Sequence, residues 1–153
     1  MAGSNVVEFR AISQSSSVAP AGVSKESLTL LGRAEALLAG ARQADADEML
    51  ELSYRAALRC AGALLNRDAS SGAGVGLKRR RSAPQSAWVG LKKSQPEFSG
   101  WAARFEQFGV LRESVRLGIE RRIDPQRALD LWELSCEFLE VVRVELGVLP
   151  AVA

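Results

Sequence analysis

The sequence predicts an all-α protein, folded as an antiparallel bundle of four main helices with a short extra helix between the second and the third. Apolar residues recur at three- and four-residue spacing over four segments, and no segment sustains a two-residue alternation. The chain of 153 residues is rich in Ala and Leu, with only 6% aromatic residues, which favours helix over strand. Short connections between helices 1 and 2, and between helices 3 and 4, predict antiparallel neighbours.

Helices 1 and 2 have recognisable beginnings. Helix 1 is predicted from about Ser24, its N-cap, to Ala41. Helix 2 follows Asp45, which with Glu48 forms a capping-box arrangement. Its apolar pattern ends near Asn66, before a glycine-rich stretch.

The second half of the chain contains a short helix and two longer ones. One or two helical turns are predicted around Trp88 and Leu91, which lie three residues apart. Helix 3 begins at Pro96 and continues, or kinks near Gly109, as far as Ile119. Helix 4 has an N-cap and a proline in its first turn, then a long apolar stripe, and it ends at a glycine; these three markers are Asp124, Pro125 and Gly147.

The domain organisation follows from this pattern. Residues 1–23 are predicted to be a disordered tail because Ser, Ala, Pro and Gly dominate them. Residues 24–147 are the helical domain, and residues 148–153 form a short tail. No stretch approaches the roughly 20 apolar residues that cross a bilayer, and the N-terminus lacks a signal-peptide core. A cytoplasmic protein without membrane contact is therefore expected.

Two residue types restrict the chemistry. The sequence has no histidine, which excludes histidine-dependent nucleophilic catalysis, histidine metal sites and histidine-dependent ribonuclease chemistry within this chain. Cys60 and Cys136 lie in apolar helical patterns and are predicted to be buried free thiols. No catalytic residue, metal site or cofactor is predicted.

One basic segment stands out in a mildly acidic chain. From Ala69 to Pro96 there is no Asp or Glu, and the six cations of this window are Lys78, Arg79, Arg80, Arg81, Lys92 and Lys93. Without these six, 14 basic and 18 acidic residues remain, a net charge of −4. The glycines before Lys78 do not have the spacing of a phosphate-binding loop. Three roles for this segment remain open: a solvated connection between helices, a weak binding site for nucleic-acid phosphates, or docking onto an acidic helix face.

Helix 4 carries two further patterns. Four of its carboxylates fall within a narrow sector opposite the apolar stripe: Asp130, Glu133, Glu137 and Glu140. They form a solvated helix face or, alternatively, a row of carboxylates that holds a metal ion or acts in acid–base catalysis. Leu134 and Val141 lie seven residues apart at the edge of the stripe. They widen the apolar face for packing against two helices or for a homodimer interface, and we predict a homodimer.

The helices and the segment that joins them also carry a family resemblance. The relevant stretches are "LLGRAEALLAGAR", "SYRAALRCAGALL", the basic segment leading into "SAW", and "PEFSGWAARF". Together they resemble the HEPN superfamily, specifically a small actinobacterial HEPN-like family, over roughly Ser24 to Gly147. The resemblance implies a bundle of four or five helices that often dimerises and is commonly linked to RNA or nucleotides.

The resemblance does not bring catalytic residues with it. Catalytic HEPN members use an Arg followed four to six residues later by His, whereas no residue after Arg116 in this chain is a histidine. The expected function is therefore that of a non-catalytic module for protein interaction or scaffolding, and the resemblance implies an association with RNA. The alternative is weak, sequence-nonspecific nucleic-acid binding through residues 78–81, assisted by Lys92 and Lys93.

Overall fold

A computed structural model describes residues 23–71 and 86–148. Within these ranges the chain forms five α-helices, and no strand occurs there. The helices are α1 (Lys25–Ala41), α2 (Ala46–Ser71), α3 (Ala87–Ser94), α4 (Ser99–Arg116) and α5 (Pro125–Leu146), with a 3-10 turn (Pro96–Phe98) before α4. This confirms the predicted all-α bundle, in which the four main helices are α1, α2, α4 and α5 and the extra helix is α3.

Three of the predicted helix starts are confirmed by hydrogen bonds, whereas the helix predicted to begin at Pro96 starts with the 3-10 turn and becomes α-helical at Ser99. Ser24 Oγ accepts from the backbone N–H of Ser27 at 3.0 Å, and Asp45 Oδ1 accepts from that of Glu48 at 3.0 Å. Asp124 Oδ1 accepts from the N–H of Gln126 at 3.0 Å. Each acceptor satisfies one of the amide groups that a helix leaves unpaired in its first turn.

Two predicted helix ends are wrong. Helix α2 continues past Asn66 to Ser71, because no glycine or proline lies between Asn66 and Gly72. Helix α4 stops at Arg116, short of Ile119. Gly118 has a φ of 77° there and closes a Schellman arrangement, in which the next N–H bonds back to the Ser114 carbonyl at 2.9 Å.

Helix α2 is the centre of the bundle and contacts the other four helices. It runs antiparallel to α1, since Ser27 Oγ near the start of α1 donates to the carbonyl of Ala63 near the end of α2 at 2.7 Å. It runs parallel to α5, where Ser135 Oγ donates to the carbonyl of Ser53 at 3.0 Å. Both hydroxyls are buried, so these bonds satisfy polar groups that would otherwise be unpaired inside the core.

An aromatic cluster joins α3 and α4 to α5. Trp88, which is 2% exposed, stacks on Phe105 with ring centroids 4.9 Å apart. Phe105 and Trp101 each approach Phe138, at 5.0 and 5.2 Å between centroids. Trp88 therefore anchors the short helix in the core, and its indole N–H donates to Tyr54 Oη at 2.8 Å.

Candidate binding groove

A shallow groove of about 400 Å³ lies between α1 and α2. Its floor is apolar or small, and three arginines rise beside it; the lining residues are Arg33, Ala36, Leu37, Gly40, Leu52, Arg55 and Arg59. We call it the α1–α2 groove. It forms because residues spaced three and four apart on each antiparallel helix face the same side.

The helical register explains how the arginines come together. Arg55 and Arg59 are one turn apart on α2, so both lie along one edge of the groove. Arg33 reaches the groove from α1, one turn before Leu37. The groove therefore combines cations from two helices with an apolar floor from the same two helices.

These three guanidinium groups are not neutralised within the part of the chain that the structure describes. None of them forms a salt bridge with a carboxylate of residues 23–71 or 86–148. Arg59 also contains a buried donor, because its Nε is buried and has no hydrogen-bond partner among the described residues. A buried donor without an acceptor is uncommon in folded proteins and calls for an explanation.

Glu51, whose pKa the charge of Arg55 lowers, is already paired with another arginine. Arg112 Nε and Nη2 donate to the two carboxylate oxygens of Glu51 at 2.7 and 2.9 Å. This bidentate bond is the main cause that lowers the pKa of Glu51, with smaller contributions from the charges of Arg112, Arg55 and Arg116. The salt bridge of Glu51 is formed with Arg112, and no salt bridge joins Glu51 to Arg55.

The groove continues beyond Arg33 as a second hollow. Lys25, Glu26 and Thr29 line it together with Leu30 and Asn66. The two hollows share Arg33 and place four cations against one carboxylate. The whole track along α1 and α2 is therefore electropositive.

The predicted basic segment can be placed only in part. Lys78, Arg79, Arg80 and Arg81 lie outside the described residues. Lys92 is half-buried, and its Nζ donates to Glu106 Oε1 at 2.6 Å. Lys93 is exposed. Lys92 is thus already paired with a carboxylate within the chain, which leaves Lys93 as the described cation of this segment that faces solvent.

The two residues predicted to widen the apolar face of α5 lie in different environments. Leu134 is only 5% exposed within the single chain. Val141 is half-buried and packs against the core. Leu134 therefore does not offer the exposed apolar surface on which the dimer argument relied, since packing against neighbouring helices already covers it.

The carboxylates of α5 face solvent or pair locally. Asp130 Oδ1 accepts from Gln126 Nε2 at 2.9 Å, and Glu140 Oε2 accepts from Arg143 Nη1 at 2.8 Å. Within residues 23–71 and 86–148, no group of three or more His, Cys, Asp or Glu side chains is placed to hold a metal ion. The row has the arrangement of a solvated helix face.

The two thiols differ in burial. Cys60 is buried and Cys136 is half-buried, and both are free. Burial raises the pKa of Cys60 to about 12 and also raises that of Cys136. The prediction of two buried thiols is therefore confirmed for Cys60 and only partly for Cys136, which lies at the edge of the α5 stripe.

Sequence reasoning missed the α1–α2 groove. The available signal was the four-residue spacing of Arg55 and Arg59, matched by Arg33 and Leu37 on the neighbouring helix. That spacing alone is also typical of solvated helix faces, so only the pairing of α1 with α2 distinguishes the groove.

Among the described helices, none is long and apolar enough to cross a bilayer.

Comparison with known proteins supports the resemblance noted from the sequence. Residues 39–143 match the family described as HEPN_SAV_6107-like HEPN. No curated protein and no solved structure shows significant similarity to the chain. The match spans more than half of the sequence and includes all of α2, α3 and α4, together with most of α5. The chain therefore belongs to the HEPN_SAV_6107-like HEPN family.

Proposed function

We propose that this HEPN-like bundle is a non-catalytic module for protein interaction or scaffolding. The observation that carries the proposal is the α1–α2 groove, in which an apolar floor lies beside three arginines without ion-pair partners among the described residues. A surface of this kind serves binding, since arginine and partly exposed apolar groups are typical of the central part of protein interfaces.

The non-catalytic part of the proposal rests on residue chemistry. The chain has no histidine to move a proton near neutral pH, and arginine stays protonated too firmly to replace it. Arg116, Arg121 and Arg122 are exposed around the end of α4, and Arg116 Nε lies 3.6 Å from Glu113 Oε1. We expect the pure protein to leave generic RNA intact in EDTA. Cleavage that disappears when these three arginines are mutated would contradict the proposal.

The interaction role is tested by affinity capture from the host. The tagged protein should retain a defined set of proteins at moderate salt, whereas an unrelated tagged bundle of similar charge should not. The captured set is identified by mass spectrometry and confirmed with purified components. If no captured protein binds the purified chain directly, the interaction role is wrong.

Self-association is the simplest form that this role could take, and a homodimer remains a prediction. Because Leu134 is buried, the apolar surface for a second copy must lie elsewhere. Val110 and Leu117, seven residues apart on the side of α4 and at its end, are 69% and 63% exposed. Sedimentation velocity should show a dimer at high micromolar concentration that Val110→Ser with Leu117→Ser converts to monomer. A wild-type monomer at that concentration refutes the dimer.

A second candidate function is weak, sequence-nonspecific binding to nucleic acid through residues 78–81. The run of four cations in a window without any acid favours it. If each cation neutralises one phosphate of duplex DNA, the salt slope is about −3.6, and a fourfold rise in salt weakens binding about 150-fold. Replacing the four residues with Ser should abolish binding and leave the thermal midpoint nearly unchanged. Binding that survives this replacement would show that residues 78–81 are not the binding site.

A further inference from the structure

The floor of the α1–α2 groove restricts what kind of molecule can fill it. Leu37 and Leu52 are only half-buried by the chain itself. A ligand that covers them gains by removing apolar surface from water. A nucleic-acid backbone offers phosphates and sugars and would leave these two leucines in contact with water. A polypeptide offers aliphatic side chains that can cover them.

The edges of the groove favour negative charge on that polypeptide. Arg33, Arg55 and Arg59 form no salt bridge with a described carboxylate. The buried Nε of Arg59 lacks an acceptor in that part of the chain. A carboxylate is the group that matches the planar fork of a guanidinium. Glu51 does not supply it, because its two oxygens accept from Arg112.

The shape of the groove favours a helix as the occupant. Its walls are two antiparallel helices, and Ala36 and Gly40 place no bulky side chain in it. Small residues at such a seam let a third helix approach closely, with its side chains fitting between those of the two walls. Beyond Arg33 the track continues past Leu30 to Lys25, so apolar and cationic positions repeat along the helix axis.

We propose that the α1–α2 groove binds an acidic amphipathic helix of a partner protein. The apolar stripe of that helix lies on Leu37 and Leu52, while Asp or Glu residues beside the stripe pair with Arg33, Arg55 and Arg59. This is the helix-in-groove mode of recognition, with anchors at i, i+3, i+4 and i+7. The inference rests on the proposed interaction function and names the chemistry of the partner.

A synthetic peptide tests the inference directly. The probe is a fluorescein-labelled helical peptide of about five turns, with Leu at i, i+4 and i+7 and Glu on both sides of that stripe. A second peptide of identical composition distributes its Leu residues around the helix. We expect the amphipathic peptide to bind by fluorescence anisotropy and the second to bind at least tenfold more weakly. Backbone amide signals of Gly40 and Leu52 should shift in NMR spectra with the first peptide only.

Matched variants locate the site. Arg55→Gln with Arg59→Gln should weaken binding at least tenfold, which corresponds to about 1.4 kcal/mol. Arg121→Gln with Arg122→Gln removes the same charge from the exposed connection before α5 and should leave affinity within about twofold, since exposed charges distant from a contact are largely screened by salt. Thermal unfolding of both variants establishes that each one folds.

Several results would overturn the inference. If both peptides bind equally, the protein recognises only the charge of the peptide. If both pairs of substitutions reduce the affinity equally, the groove is not the binding site. The inference also fails if the peptide does not bind at millimolar concentration, or if single-stranded RNA binds through Arg55 and Arg59 while the peptide does not.

The host capture separates this inference from the proposed function. If the Arg55→Gln, Arg59→Gln variant retains the same direct partners as the wild type, the groove inference is wrong and the interaction role stands. If the wild-type chain retains no direct partner, the proposed function itself fails.

Discussion

Gly109 in the middle of α4 is the position where the structure makes its sharpest stability prediction. A Cβ placed there would lie 2.6 Å from Tyr54 Oη and 3.2 Å from its Cζ. Tyr54 is 7% exposed, and its hydroxyl accepts from Trp88 Nε1 at 2.8 Å. The tyrosine is thus unable to withdraw from an added methyl group without disturbing a buried hydrogen bond.

Two opposing effects set the result of Gly109→Ala. Alanine stabilises a helix interior by about 1 kcal/mol relative to glycine. Displacing Tyr54 leaves the buried Trp88 N–H without an acceptor, which costs about 1–3 kcal/mol, and a strained side chain adds about 0.5–1.5 kcal/mol. The costs exceed the gain, so we expect Gly109→Ala to lower the free energy of unfolding by about 0.5–3.5 kcal/mol.

A double-mutant cycle isolates this contact. Tyr54→Phe removes the atom nearest to the added methyl group and by itself should cost about 1–3 kcal/mol, because Trp88 Nε1 loses its acceptor. In the Tyr54→Phe background, Gly109→Ala should be close to neutral, which gives a coupling of at least about 0.5 kcal/mol. The measurement is urea unfolding followed by far-UV circular dichroism.

Gly32→Ala on α1 is the matched control, since nothing lies within 4 Å of a Cβ added there. It should stabilise the protein by up to about 1 kcal/mol through helix propensity alone. The reasoning is refuted if Gly109→Ala stabilises the wild type as Gly32→Ala does. It is equally refuted if Gly109→Ala costs the same with and without the tyrosine hydroxyl.

Three further predictions concern a helix cap, the thiols and pH. Asp124→Ala should cost about 1 kcal/mol in urea unfolding, because the first turn of α5 loses the side chain that caps it; no change in the unfolding midpoint would contradict this. In the native protein Cys136 should react with iodoacetamide well before Cys60, whose pKa of about 12 cuts its thiolate fraction near pH 8 about a thousandfold below that of an unperturbed thiol; mass mapping that finds both equally modified would refute the burial argument. The pKa of Glu51 is lowered in the folded state, so its stabilising effect is full above the unfolded value near 4.3 and is lost as pH falls through the folded pKa. Wild type should therefore exceed Glu51→Gln by a few tenths to about 1 kcal/mol at pH 6, since the pair with Arg112 is partly exposed, and the two should converge in strong acid; a difference that does not shrink would contradict the pair.

Much of the architecture followed from local signals in the sequence. Ser24, Asp45 and Asp124 predicted three helix starts, because a capping side chain acts on amides only two or three residues away. Gly147 predicted the end of α5, where it has a φ of 76° that suits glycine. The family resemblance over these helices also proved correct. These features depend on neighbours along the chain, which a single sequence displays.

The prediction was weaker where two local signals competed. The glycine-rich stretch predicts that helix 2 ends near Asn66, yet the residues between Asn66 and Gly72 can all adopt helical conformation, and the helix continues through them. Leu134 was assigned to the edge of an apolar stripe, where burial depends on which neighbouring helix covers that edge. Periodicity gives the face of a residue but not the width of the partner packed against it.

The sequence by itself determined that this protein is a helical bundle of the HEPN type, without histidine chemistry and with one basic segment at residues 78–81. Only the tertiary structure decided that Lys92 is paired with Glu106, that Leu134 is buried, and that Arg33 joins Arg55 and Arg59 at one groove. The physical reason is distance along the chain. Caps and helical stripes arise from residues a few positions apart, whereas the pairing of Lys92, the burial of Leu134 and the meeting of the three arginines depend on how separate helices pack side by side.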